Sequence, residues 1–134
     1  MSRTGRILAG VLFVAALAAC RADANSARGV ADRFVDEHYV QINLEAAKQF
    51  CAGVARKKVE DEQRLIGDQR IDESTRKPSV HYKLIDQKAD GDHATFIYEG
   101  TIRVEDAGSF TRKWMVTTRQ DGQEWKVSNF EEFD

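Results

Sequence analysis

The hydrophobic period of the chain changes once, around Pro78, and that change limits the fold more than any other feature. Ahead of it, apolar residues recur every three to four positions, the period of a helix with one buried side. Beyond it they recur every second position, the period of a strand with one buried face. Ser26 is placed to cap a first helix over about 27–41. At 100° per residue Ala27, Val30, Ala31, Phe34 and Val35 share one side, and Arg28, Asp32, Arg33 and Asp36 lie mostly elsewhere. His38 falls in the middle of the apolar side and Tyr39 at its margin. Asn43 is a second cap, and Glu45 suits the positive end of the helix that follows. Over about 44–66, Leu44, Ala47, Phe50, Cys51 and Val54 form one stripe. Gly53 is the point where that helix bends or breaks. Ala55, Val59 and Ile66 continue the stripe with Leu65 beside it, and Glu62 falls inside it either way.

Gly67 and Pro78 bound a polar connection. Val80, Tyr82 and Leu84 share one face of a first strand over 80–85. Asp90-Gly91 marks a hairpin turn. Ala94, Phe96, Tyr98, Ile102 and Val104 alternate with polar residues through a long second strand, in which Gly100 implies a bulge or sharp bend. The turn Glu105–Gly108 leads to a third strand over 110–119 carrying Trp114 and Val116. Asp121-Gly122 then turns into a fourth with Trp125 and Val127, and Phe130 and Phe133 end the chain. Helices followed by an antiparallel meander define an α+β fold, with the N-terminal helices covering the apolar face of a sheet of about four strands. Three short turns make successive strands neighbours. Residues 27–134 read as one domain.

Two or three N-terminal helices, a long strand with an internal glycine, and the closing run Gly122-Gln-Glu-Trp125-Lys-Val127-Ser-Asn-Phe130 resemble the nuclear transport factor 2-like superfamily. That group includes ketosteroid isomerase-like and SnoaL-like domains within the broader cystatin-like fold. The resemblance spans about 27–133. It implies a curved sheet wrapped around the helices as a cone, a cavity at the wide end, and pairing of two copies through the sheet. The superfamily hosts enzymes, binding proteins and adaptors, so the fold alone sets no function.

The first twenty residues read as an address. Arg3 and Arg6 precede an uncharged run from Ile7 to Ala19. As a helix, that run would span roughly 20 Å, short of a bilayer core of about 30 Å. It is therefore expected to be a secretory signal, residues 1–19, and not a spanning helix. The run ends Leu17-Ala18-Ala19-Cys20, which is similar to the lipobox of bacterial lipoproteins. The resemblance implies cleavage before Cys20, a diacylglyceryl thioether on its sulfur, and a short tether over 20–26. Two or three acyl chains hold a protein to a membrane stably. Arg21, where an aspartate would signal inner-membrane retention, favours the outer membrane. Losing Arg3 and Arg6 lowers Lys+Arg from 20 to 18 against 22 acidic residues, a net charge of −4. That balance gives no electrostatic attraction to anionic lipid, and no nucleic-acid footprint is present.

With Cys20 lipidated, Cys51 is the remaining thiol, and its stripe position reads as a buried small hydrophobe. The sequence contains no phosphate-binding glycine loop, no His-Glu-x-x-His, no cysteine pair at zinc spacing and no nucleophile elbow. No cofactor or metal is called for. The one constellation with chemical content is a candidate pocket. His38 and Glu62 fall on core-facing stripes, and Tyr82, Tyr98, Trp114 and Trp125 come from the matching sheet face. A desolvated Glu62 sharing a proton with His38 is an acid–base pair in form. Each residue also has a plainer reading. Glu62 pairs with Lys58 one turn earlier, the aromatics fill the core, and Arg56 to Glu62 form a solvated helix face. The leading expectation is a non-enzymatic, lipid-anchored, periplasm-facing module that binds a small apolar ligand or an envelope protein. The alternative is a ketosteroid isomerase- or SnoaL-like enzyme with Glu62 and His38 as acid and base. A third reading, a structural partner or inhibitor, expects a filled cone and an apolar sheet patch near Ile97 and Met115.

Overall fold

The structure is a computed structural model that describes residues 23–67 and 77–134. The signal run, Cys20 and residues 68–76 lie outside the described residues. Helix α1 spans Ala27–Val35. Its cap is Ser26, whose hydroxyl oxygen accepts from the Gly29 amide at 3.0 Å. The Ser26 hydroxyl also donates to the Asp23 carbonyl at 2.6 Å, so the chain folds back on the start of the helix. Only a glycine fits beneath that fold, since a Cβ on Gly29 would stand 1.9 Å from the Asp23 oxygen.

The first helix does not run uniformly to residue 41. After Val35 it widens into a π turn over Asp36–Val40, closed by the Gln41 amide donating to the Asp36 carbonyl at 2.8 Å. The wider i→i+5 turn changes where successive side chains point. His38 becomes buried and Tyr39, expected at the margin, becomes half-buried beside it. Helix α2, Leu44–Gln49, is capped by Asn43, which accepts from the Ala46 amide at 3.1 Å. Helix α3 runs from Gly53 to Ile66. The break between them has a definite cause. Phe50 and Ala52 bond their backbones to Val127 at 2.8 and 3.0 Å, making a one-residue parallel bridge at Cys51. Gly53 then restarts the helix from positive φ, +58°. The restart turns Val54, expected on the stripe, out to solvent.

Four strands follow: β1 Ser79–Asp90, β2 His93–Val104, β3 Gly108–Asp121 and β4 Glu124–Phe133. They pair antiparallel in sequence order, as the short turns require. Strand β1 extends past the expected end at 85, because backbone pairing with β2 carries its polar second half. The register shifts at Leu84/Asp86 and at Thr117/Thr118, not at Gly100, which pairs regularly with Tyr82 and Arg112. Bulges of this kind bend and twist a sheet.

The concave face of the sheet closes on the helices. Phe96, Tyr98, Trp114, Val116 and Val127 meet Phe34, Val35, Ala55 and Val59, and all are buried. Full burial of each large apolar side chain is worth about 1.5–3 kcal/mol, so this layer is the main source of stability. On the convex face Ile97 lies opposite Met115, both half-buried. Among the described residues no helix is long and apolar enough to cross a membrane.

Candidate functional site

The π turn, α3 and the end of β4 bring together the polar residues that the two helical stripes predict. His38 Nε2 lies 3.0 Å from both Oε1 and Oε2 of Glu62. A carboxylate only accepts, so Nε2 carries the proton. The His38 side chain is 7% exposed and that of Glu62 37%, so the pair runs from core to surface. The imidazole is packed among rings: Phe34 at 5.0 Å, Tyr39 at 4.3 Å and Phe130 at 4.9 Å between centroids. Nδ1 is buried and has no hydrogen-bond partner among the described residues.

Tyr39 continues this aromatic layer inward. Its ring stacks on Trp114 at 4.0 Å with an interplanar angle of 7°. Burial is the main cause raising its phenol pKa, and the charges of Glu132 and then Glu62 add to it. Behind Tyr39 the Trp114 indole is 1% exposed, and its Nε1 is also without a partner among the described residues.

The Lys58–Glu62 pair offered by helix spacing is not formed. Lys58 crosses instead to β4, donating to Asn129 Oδ1 and to the Phe130 carbonyl, both at 2.8 Å. Its ammonium lies 5.4 Å above the Phe130 ring. The rest of that helix face matches the solvated reading. Arg56 pairs with Glu60 at 3.7 Å and Lys57 with Asp61 at 3.7 Å, on exposed side chains.

Above the pair lies a groove of about 540 Å³, open to solvent. Its floor is His38, Tyr39 and Phe130, and its rim is Lys58, Asp61, Glu62, Glu131 and Glu132. The volume falls within the range of small-molecule sites.

The other candidate residues separate from this groove. Tyr98 is buried, and its hydroxyl donates to Asp32 Oδ1 at 2.5 Å. Burial first, and then that hydrogen bond, raise its pKa. Tyr82 packs edge-on to Tyr98 at 5.8 Å. Both flank the side of α1 that faces β1, where Asp32, Arg33, Asp36, Glu37, Phe50 and Tyr82 line a second groove of about 460 Å³. Trp125 is half-buried opposite Gln120, near the β3–β4 turn and apart from both groups. So the structure joins His38, Glu62 and Trp114 through Tyr39, joins Tyr82 and Tyr98 through their rings, and leaves Trp125 aside.

Sequence reasoning missed three residues here. Tyr39 sits at the stripe margin only on an unbroken α-helix. Asp32 reads as surface because it falls off the apolar side of the first helix, where it also approaches Arg28 to 3.5 Å. Asn129 carries no signal of its own. Cys51 is as read: its thiol is buried and bonds back to the Ala47 carbonyl at 3.4 Å. Burial, with the Glu62 charge second, pushes that thiol up to about 12. Among the described residues no cluster of His, Cys, Asp and Glu is arranged to hold a metal ion.

No family model matches the sequence, and no curated protein is significantly similar to it. Solved structures do match, and they define the fold as nuclear transport factor 2-like. One is a putative calcium/calmodulin-dependent protein kinase type II association domain from Thiobacillus denitrificans. It shares 11% identity with a TM-score of 0.60, over 78% of this chain and 91% of that one. Another is a hypothetical protein with a ketosteroid isomerase-like fold from Catenulispora acidiphila, solved with trimethylamine. It shares 11% identity with a TM-score of 0.53, over 81% and 87% of the two chains. A third is a nuclear transport factor 2-like protein of unknown function from Shewanella oneidensis, with 8% identity and a TM-score of 0.56 over 78% and 93%.

Proposed function

We propose that the chain is a lipid-anchored binding module of the bacterial cell envelope, held by Cys20 and facing the periplasm, with the outer membrane as its address. It works by binding and not by turnover. One observation carries the second half of this reading. The acid–base pair is closed on itself, with one imidazole N–H between both Glu62 oxygens and the ring packed between Phe34, Tyr39 and Phe130. That arrangement pins the π turn to α3, and the lone pair left on the imidazole, at Nδ1, is buried where a general base needs one within reach of substrate. The groove above it is the seat for a small ligand. The convex sheet face around Ile97 and Met115 is the seat for an envelope protein or a second copy. The address rests on the basic start, the thirteen-residue apolar run and Leu17-Ala18-Ala19-Cys20.

Three measurements test this. Labelling with a palmitate analogue is expected to mark the full chain and to fail on Cys20→Ser; equal labelling of both removes the anchor. Native mass spectrometry of residues 21–134 is expected to show a retained ligand or a second copy, and crosslinking in cells an envelope partner. A bare monomer with no crosslink removes the binding reading.

A second reading has an observation in its favour. The His38–Glu62 pair borders a solvent-open groove of suitable size, as an isomerase- or cyclase-like enzyme would need. A turnover lost in both Glu62→Gln and His38→Gln, with folding intact, would establish it over the first.

A further inference from the structure

We propose that the second groove, beside α1, is a binding site for a small zwitterion: an α-amino acid with an apolar or aromatic side chain. It shares no lining residue with the groove over His38 and Glu62, so it is a separate site.

Four elements build it. Asp32 and Arg33 come from α1, Asp36 and Glu37 from the π turn, Phe50 from the end of α2 and Tyr82 from β1. Phe50 and Tyr82 pack against the core while still lining the groove. Tyr82 is also held edge-on at 5.8 Å by Tyr98, whose hydroxyl is tied to Asp32. These two rings are therefore in place before a ligand arrives, which lowers the ordering cost of binding it. At about 460 Å³ the groove has the size of a small-molecule site.

The charges along it are of both signs, and most are unspent. Asp32 is in use, accepting from Tyr98 and meeting Arg28 at 3.5 Å. Arg33, Asp36 and Glu37 make no side-chain hydrogen bond or ion pair among the described residues. Helix spacing offers Arg33 both carboxylates, three and four residues on, with Cβ atoms about 5–6 Å apart. Elsewhere on these helices that spacing is used: Arg28 pairs with Asp32, Arg56 with Glu60 and Lys57 with Asp61. Lys58 and Glu62 stay apart because each has another partner. Arg33 and Glu37 stay apart with no competitor for either. The Tyr82 hydroxyl is likewise without a hydrogen bond among the described residues. Burial first, and then the charges of Asp36 and Asp32, raise its pKa, so it remains a donor.

This set selects by chemistry. An α-amino acid carries its carboxylate and its ammonium on one carbon, so it can bridge opposite charges set one helical turn apart. The Arg33 guanidinium takes the carboxylate through two parallel N–H donors. Asp36 and Glu37, which only accept, take the ammonium. The ligand side chain lies against Phe50 and Tyr82. A plain anion meets two uncompensated carboxylates, and a plain amine gains nothing from Arg33.

The test titrates the full chain, ¹⁵N-labelled and in a mild detergent, and follows its amide shifts. The probes are phenylalanine, phenethylamine, which keeps only the ammonium, and hydrocinnamate, which keeps only the carboxylate. Phenylalanine is expected to bind about tenfold more tightly than either, the worth of one charge-assisted hydrogen bond. Arg33→Gln is expected to weaken phenylalanine about tenfold and to leave phenethylamine as it was. Asp36→Asn combined with Glu37→Gln is expected to weaken both of these probes by a similar factor. Absence of phenylalanine binding, equal affinity for the three probes, or an Arg33→Gln loss shared by phenethylamine overturns the proposal. So do shifts confined to the surroundings of His38 and Glu62, which put the ligand in the other groove. If the double variant does not fold, Arg33→Gln decides alone, since Arg33 is exposed and unpaired among the described residues. A crosslinked envelope partner without phenylalanine binding ends the amino-acid site and leaves the binding-module reading standing.

Discussion

The indole of Trp114 lies on the bare backbone of Gly100 in the neighbouring strand, where a Cβ would stand 2.2 Å from its Cη2 atom. Gly100 lacks a positive φ, so space and not backbone freedom requires the glycine. Gly100→Ala is expected to destabilise the domain by about 1–3 kcal/mol, the usual cost of overpacking a core. Urea denaturation reads this as a lower midpoint at unchanged slope. The cost should shrink in the Trp114→Leu background, where the crowding atoms are gone. Equal costs in both backgrounds would mean that the two residues do not meet.

All three tyrosines of the chain are pushed above their ordinary pKa of 10, each chiefly by burial. The pH dependence follows from linkage. Below pH 10 the phenols are protonated in both states and contribute no slope. Above pH 10 the unfolded chain releases protons that the folded chain keeps, so stability falls as pH rises. Absorbance at 295 nm should therefore show little ionisation of the native protein at pH 10, and about half ionisation in concentrated urea. Further up, ionisation should rise together with loss of secondary structure. Independent titration of the native tyrosines near pH 10 would contradict their burial.

How much of this was legible depends on what each residue answers to. The period change at Pro78, the Ser26 and Asn43 caps and the turn at Asp121-Gly122 are local signals, and the elements they announce are present. His38 and Glu62 could be paired in prospect because each broke an apolar stripe that had to face the other. Tyr39 could not be placed, since its direction depends on a π turn set by tertiary contacts. Gly100 was misread because a glycine inside a strand signals either a bulge or a close neighbour, and the sequence does not say which. The Lys58 partner was hidden for a similar reason. Its acceptors lie on β4, and nothing local ranks them above Glu62.

Cys51 should behave as an inert thiol. In the Cys20→Ser chain it is the only cysteine, 3% exposed, with its pKa pushed up to about 12. At pH 8 almost none of it is thiolate, and the thiolate is the reactive form. Its reaction with a disulfide reagent should be slower than that of the urea-unfolded chain by orders of magnitude. Its rate should follow opening of the α2–α3 junction, where Cys51 bridges Val127. A native rate close to the unfolded one would place the thiol at the surface.

Two neighbouring lysines on α3 separate a packed charge from a surface one. Lys58 ties the helix to β4 through Asn129 and the Phe130 carbonyl, while Lys57 has a 74% exposed side chain 3.7 Å from Asp61. Lys58→Met keeps most of the aliphatic stem over Phe130 and removes the ammonium. It leaves the Phe130 carbonyl without that donor, whereas Asn129 Oδ1 still accepts from the Phe130 amide at 3.0 Å. The expected loss is about 1–3 kcal/mol, the range for stranding a partly buried hydrogen-bond partner. Lys57→Met should cost below about 0.5 kcal/mol, since exposed pairs contribute little and are screened by salt. Urea midpoints of the two variants, at low and at high salt, measure the difference. Equal losses, or a Lys58 loss that vanishes in salt, would show that the α3–β4 tie is no more than a surface ion contact.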